Sequence, residues 1–117
     1  MTTIVQIPVE VSVEANARIA ELGMQREVEA MIEHTWQTVP GLTAISIDEY
    51  YDFEEPGPPR VLLTGWREGD GVEPDAYAPE WLWGSWAVRN FPPEVMRWLG
   101  FALRYRGTST NLPGVTS

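Results

Sequence analysis

Apolar and polar positions change their period several times along the chain. Val5, Ile7, Val9, Val11 and Val13 alternate with Gln6, Pro8, Glu10, Ser12 and Glu14. Period-two alternation of β-branched residues predicts a half-buried strand. Pro8 lacks the N–H that a ladder needs, so the strand is placed at 3–8, with an extension to 13 left open. From Glu14 to Thr38 the spacing becomes three and four: Ala17, Ala20 and Met24, then Val28, Met31, Ile32 and Thr35. That predicts an amphipathic helix over 14–38, with Glu21, Glu27, Glu29 and Glu33 largely off the apolar stripe. Gly23 suits the residue just past a helix end, so this stretch is either one helix or two broken there. Pro40-Gly41 ends it.

Alternation returns between Leu42 and Phe53, where Ile45 and Ile47 share a face with Tyr51 and Phe53. Glu49 on that same face points to a bulge or an exposed strand end. The strand is expected at 43–54, a turn at Pro56-Gly57-Pro58-Pro59, and a second strand at 60–67. The second strand is apolar on both faces, as in the middle of a sheet. A loop follows, and Pro79 suits the first turn of a helix over 79–91. Leu82, Trp83, Trp86, Ala87 and Asn90 lie at helical spacing, and Pro92-Pro93 stops them. Leu99, Phe101, Leu103 and Tyr105 alternate in a last strand near 96–106, and 107–117 reads as a flexible tail. The expected core is Ile7, Val28, Met31, Ile45, Ile47, Val61, Leu63, Trp86, Phe101 and Leu103.

The order β-α-β-β-α-β resembles the ferredoxin-like α+β arrangement. It predicts four antiparallel strands with two helices on one face, the first open to a break at Gly23, in a single domain over 1–106. The fold class carries no function with it.

Composition narrows the classes of function. The chain has 117 residues, 44% of them hydrophobic, and no cysteine, which excludes disulfides and thiolate chemistry. No apolar run approaches a membrane span and no basic leader precedes one, so a soluble, cytoplasmic domain without membrane contact is expected. The net charge is -9, and every cation is an arginine. Residues 1–56 hold two arginines against eleven acids, whereas 57–117 hold six of each. Such a field argues against binding phosphate backbones, and so against nucleic acid.

Candidate chemistry is sparse. His34 is the one histidine and has no ligand at helical spacing. No nucleophile elbow surrounds a serine, and Gly69-Asp70-Gly71 lacks the helix and partners of a phosphate loop. No catalytic residue, metal or cofactor is expected. The acidic and aromatic run Asp48 to Glu55 reads as the charged face of an edge strand. The six tryptophans say more. Trp83 and Trp86 fit a buried helix stripe, and Trp36 does so less clearly. Alternation places Leu62, Trp66, Trp98 and Tyr50 on the sheet face away from the helices, with Asp48 and Asp52 on one side and Arg104 and Arg106 on another.

A large exposed aromatic patch usually meets a partner. The sequence therefore points to a small acidic, non-catalytic interaction module that forms a homodimer, or binds a protein partner, through that sheet face. An alternative is a small-molecule-binding domain or small enzyme of the dimeric α+β barrel type, its pocket lined by Trp66, Trp98, Tyr50 and Arg104. A further alternative is a ribbon-helix-helix DNA-binding regulator, from strand 3–8 and helices 14–22 and 25–38, although its ribbon offers Gln6 and no basic residue.

Overall fold

The stretch with helical spacing folds as two helices. The structure, a computed structural model, describes residues 5–107. Helix α1 spans Val13–Leu22 and α2 spans Gln25–Thr38. Gly23 stands between them at φ 67°, a left-handed conformation that glycine adopts without steric cost, and its N–H closes α1 by bonding to Ala20 and Ile19 carbonyls. Ser12 caps the start of α1 by accepting from the Ala15 N–H at 3.0 Å. The buried stripe of α1 is Ala15 and Ile19, and the expected Ala17 and Ala20 face solvent. In α2 the buried positions are Val28, Met31 and Thr35, as the spacing indicates.

The first strand, β1, is only Val9–Val11. It follows Pro8 instead of ending there: residues 5–8 are irregular, and residues 3–4 of the expected strand lie outside those described. Strand β2 spans Leu42–Tyr50 and β3 spans Arg60–Glu68. The expected continuation of β2 to 54 fails because Asp52 folds back locally, its carboxylate accepting from the Glu54 N–H at 2.9 Å. Helix α3 spans Ala78–Asn90, and a single turn, α4, spans Pro93–Met96. Strand β4 then spans Leu99–Arg106, later than expected because Pro93 seeds that turn. All but Gly107 of the tail lies outside the described residues.

The sheet is not the antiparallel ferredoxin-like one. Its order is β1-β2-β3-β4. Only β2 and β3 pair antiparallel, whereas β1–β2 and β3–β4 are parallel. Each strand that returns from a helical crossover lies directly beside the strand that entered it. In the ferredoxin-like order a gap is left there for a third strand. Element type and facing follow from the period of the pattern, but the choice of neighbour does not.

All helices lie on one face. Trp83 of α3 stacks on Phe101 of β4 at 4.6 Å and donates its indole N–H to Thr35 Oγ1 of α2 at 2.8 Å. Thr35 in turn donates to the Met31 carbonyl at 2.6 Å, so the polar chain that joins α2 to α3 in the core is complete. Two parallel crossovers above one face, joined by an antiparallel pair in the order 1-2-3-4, must have opposite hands. One of the two is therefore left-handed, an uncommon connection.

The core packs Ile45, Ile47, Val61, Leu63, Leu99 and Leu103 of the sheet under Ala15, Ile19, Met31, Trp83 and Ala87. Ile7, Trp86 and Phe101, expected in the core, sit at its margin, partly buried. The free edge of β4 is closed by Glu80 of α3, whose carboxylate accepts from the Leu103 N–H at 2.7 Å.

Candidate functional site

The uncovered face of the sheet is built by alternation and register. Asp48 pairs with Leu62 and Leu62 with Gly100; Ser46 pairs with Thr64 and Thr64 with Ala102; Ala44 pairs with Trp66 and Trp66 with Arg104. Tyr50 pairs with Arg60 at one end, and Glu68 with Arg106 at the other. These positions alternate with the buried Ile45, Ile47, Leu63 and Leu103, so they face away from the helices.

The structure divides the residues that the sequence grouped. Tyr50, Leu62 and Arg104 line one groove of about 300 Å³. Trp66 and Arg106 line a neighbouring cleft, where the Trp66 indole donates to Ser46 Oγ at 2.9 Å and the Arg106 guanidinium lies 4.4 Å over its ring. Trp66 is thus covered by its own neighbours. Trp98 is not beside it: Trp98 precedes Leu99, the partner of Val61, and so stands level with Arg60, six residues along β3 from Trp66. At about 3.3 Å per residue that places them nearly 20 Å apart. Trp98 instead sits at the sheet end under α1, with the Arg18 guanidinium 4.9 Å and the Arg97 guanidinium 5.5 Å from its ring. Arg18 is held there by donating Nε–H to the Pro59 carbonyl at 2.9 Å. Asp48 stays exposed on the face, and Asp52 belongs to the turn beyond it.

Two charged members of the groove were not anticipated. Arg60 opens β3 two residues before Leu62, so alternation alone places it on the same face. Arg97 comes from the turn after α4 and has no such signal. Gly100 and Ala102 form the floor, and their small side chains leave the trough open.

A second unpartnered surface lies on α3, around the β4 edge from the groove, with which its cleft shares Met96 and Phe101. Helix α3 buries Trp83 and Ala87 but exposes Trp81 at 78%, Leu82 at 65% and Val88 at 68%. Leu82, expected on the buried stripe, is turned outward because it stands one residue, about 100° of helix, from Trp83. Beside Trp81 is a cleft of about 590 Å³ lined by Tyr77, Gly84, Ser85, Val88, Met96 and Phe101. A Cβ built on Gly84 would meet nothing within 4 Å.

The titratable groups show two clear perturbations. His34 stacks face to face on Trp86 at 3.6 Å, and burial lowers its pKa from the ordinary value. Burial raises the Tyr105 phenol, partly opposed by the nearby Arg67. That phenol accepts from Arg67 Nη1 at 2.8 Å and donates to the Ala76 carbonyl, pinning the loop before α3. Gly71 in that loop has φ 72°, and a Cβ there would come within 2.9 Å of the Tyr77 hydroxyl. Tyr105 also feels Tyr77, Glu73 and Asp75, which raise its pKa further. Among the described residues no cluster of three or more His, Asp or Glu is placed to hold a metal ion. No helix among them is long and apolar enough to cross a membrane.

No family model matches the chain, and no curated protein or solved structure matches it.

Proposed function

We propose that the protein is a non-catalytic interaction module that self-associates, and that the contact is the outer face of α3. The observation that carries this reading is the exposure of Trp81, Leu82 and Val88 on one helix, with an open cleft beside them. Monomers rarely leave so much contiguous apolar surface to water. The sequence-based reading put this role on the sheet face. Trp66 is already covered there, and Trp98 lies elsewhere, which favours α3.

The occupant is a second copy of the chain. A molecule of net charge -9 repels its own kind over most of its surface, but Trp81, Leu82, Gly84, Ser85 and Val88 carry no charge. The neighbouring Glu80 is engaged with the β4 backbone. Knob and hole stand on the same helix, so a two-fold axis across Gly84 and Ser85 would seat the Trp81 of each copy in the cleft of the other. Such a self-complementary arrangement is what a two-fold contact requires. Fully enclosing one such side chain contributes about 1.5–3 kcal/mol, and a pair doubles it.

Sedimentation of three proteins tests this. The wild type is expected as a dimer, and Trp81→Ser as a folded monomer that melts cooperatively, lower than the wild type only by the lost association. Gly84→Leu fills the cleft and improves helix propensity by up to about 1 kcal/mol, so it should also be monomeric while melting no lower than monomeric Trp81→Ser. A monomeric wild type, or dimers in both variants, would overturn the reading.

A further inference from the structure

We infer that the groove on the open sheet face is a binding site for a small organic anion with a flat, apolar body, of the class of one-ring carboxylates. This goes beyond self-association through α3 and uses a separate groove, which shares only Met96 and Phe101 with the cleft beside Trp81.

Charge points to the ligand. The protein has only eight cationic residues, yet three of them, Arg60, Arg97 and Arg104, line this one groove, and no carboxylate does. The three are not equivalent. Arg60 already holds Glu55 at 2.7 Å, and Arg97 lies over the Trp98 ring. The Arg104 side chain has no ion pair or hydrogen bond among the described residues and is exposed on the face. It is the guanidinium left to take a carboxylate, for which its fork of donors is suited. The nearest acid in register is Asp48, which pairs with Leu62 on the side of the trough away from β4. Half of the other sixteen acids lie on α1, α2 and the turn after β2, and the field of exposed charges is screened beyond about 8–10 Å.

Shape points to the apolar body. Gly100 and Ala102 make a floor without a projecting side chain, the Leu62 side chain lies against Gly100, and the half-exposed Tyr50 ring stands at one end. The volume of about 300 Å³ lies at the lower end of the range for ligand pockets, which suits one ring and its carboxylate rather than a nucleotide or a peptide. Tyr50, level with Arg60, and Arg104, level with Trp66, stand at opposite ends of the trough, so the ring lies on the floor between them and the carboxylate turns to the guanidinium.

Calorimetric titration of the full chain with benzoate tests this, with acetate and benzyl alcohol as probes of charge alone and ring alone. Benzoate should bind at one site per chain, and both controls should bind at least about tenfold more weakly. Arg104→Gln, an exposed and unpartnered position, should weaken benzoate about tenfold. Gly100→Val raises the floor without touching charge, and its Cβ makes only an ordinary contact with Leu62 at 3.7 Å, so the chain should fold and still lose benzoate. Trp81→Ser should leave benzoate affinity unchanged whether or not it releases monomer, which separates this site from the α3 contact. Absence of saturable benzoate binding, equal binding of acetate, unchanged affinity in both groove variants, or loss of binding in Trp81→Ser would each overturn the assignment.

Discussion

The open sheet face and the outer face of α3 are both left uncovered by the chain, and both carry tryptophan, yet they differ in kind. On the sheet, Trp66 gives its N–H to Ser46 and lies under Arg106, so its polar atom has a partner and its ring is shielded. On α3, Trp81 is 78% exposed and makes no such contact among the described residues. An aromatic residue on a surface therefore says little until its polar edge and its neighbours are known. The sheet face has assembled a charged groove around small residues, and the helix presents bare apolar area. The first suits a compact charged ligand, and the second suits another protein surface.

The sharpest way to break this comparison lies within α3 itself. Trp83 and Trp81 stand two residues apart on one helix with opposite surroundings. Trp83→Ala should cost about 3–5 kcal/mol, read by chemical denaturation, because it empties the core beneath α2 and β4. Trp81→Ser should move stability by no more than about 0.5 kcal/mol in the monomer. Similar losses in both would mean that α3 is not oriented as described.

Thr35→Val comes next. It preserves volume but removes the acceptor of the Trp83 N–H and should cost about 1–3 kcal/mol, since a buried donor loses its only partner. A neutral result would show that the indole finds water and that the helix layer is looser than it looks.

On the sheet side, Trp66→Phe keeps the ring under Arg106 and removes only the N–H to Ser46. An expected loss of about 0.5–1.5 kcal/mol in the same assay would confirm that Trp66 is held by its own neighbours. A gain in stability would return it to the exposed class.

The smallest expected effect is pH-dependent. Burial against Trp86 lowers the His34 pKa, so the native state prefers the neutral ring. As pH falls below about 6.5, the unfolded chain binds the proton first. Stability from this contact is therefore full above that value and declines as pH falls toward the lowered native pKa. The melting temperature of wild type minus that of His34→Gln should shrink over that window and stay constant above it. A difference that grows on acidification would reverse the sign of the shift.

Legibility differed between elements for physical reasons. The hairpin of β2 and β3 and the helices around Gly23 were readable, because alternation, helical spacing and turn chemistry are local. The α1 face was misassigned because alanine is small enough to sit inside or outside, so Ala17 and Ala20 carried no signal against Ala15 and Ile19. In the groove, Tyr50, Leu62 and Arg104 were readable from strand parity. Arg97 was not, since it enters from a turn. Trp98 was misplaced because alternation was extended one residue beyond the strand, where the backbone no longer obeys it.

The chain's own pattern was enough to specify which segments are strands and helices, that the hairpin is antiparallel, and that the net negative charge is concentrated in the first half. These depend on interactions between residues close in sequence. Strand order, the parallel pairing at both edges, the opposite hands of the crossovers, and the meeting of Arg60, Arg97 and Arg104 were decided only in the folded molecule. They depend on which apolar faces find each other across long stretches of chain, and a binary pattern is the same for every neighbour that offers an apolar face.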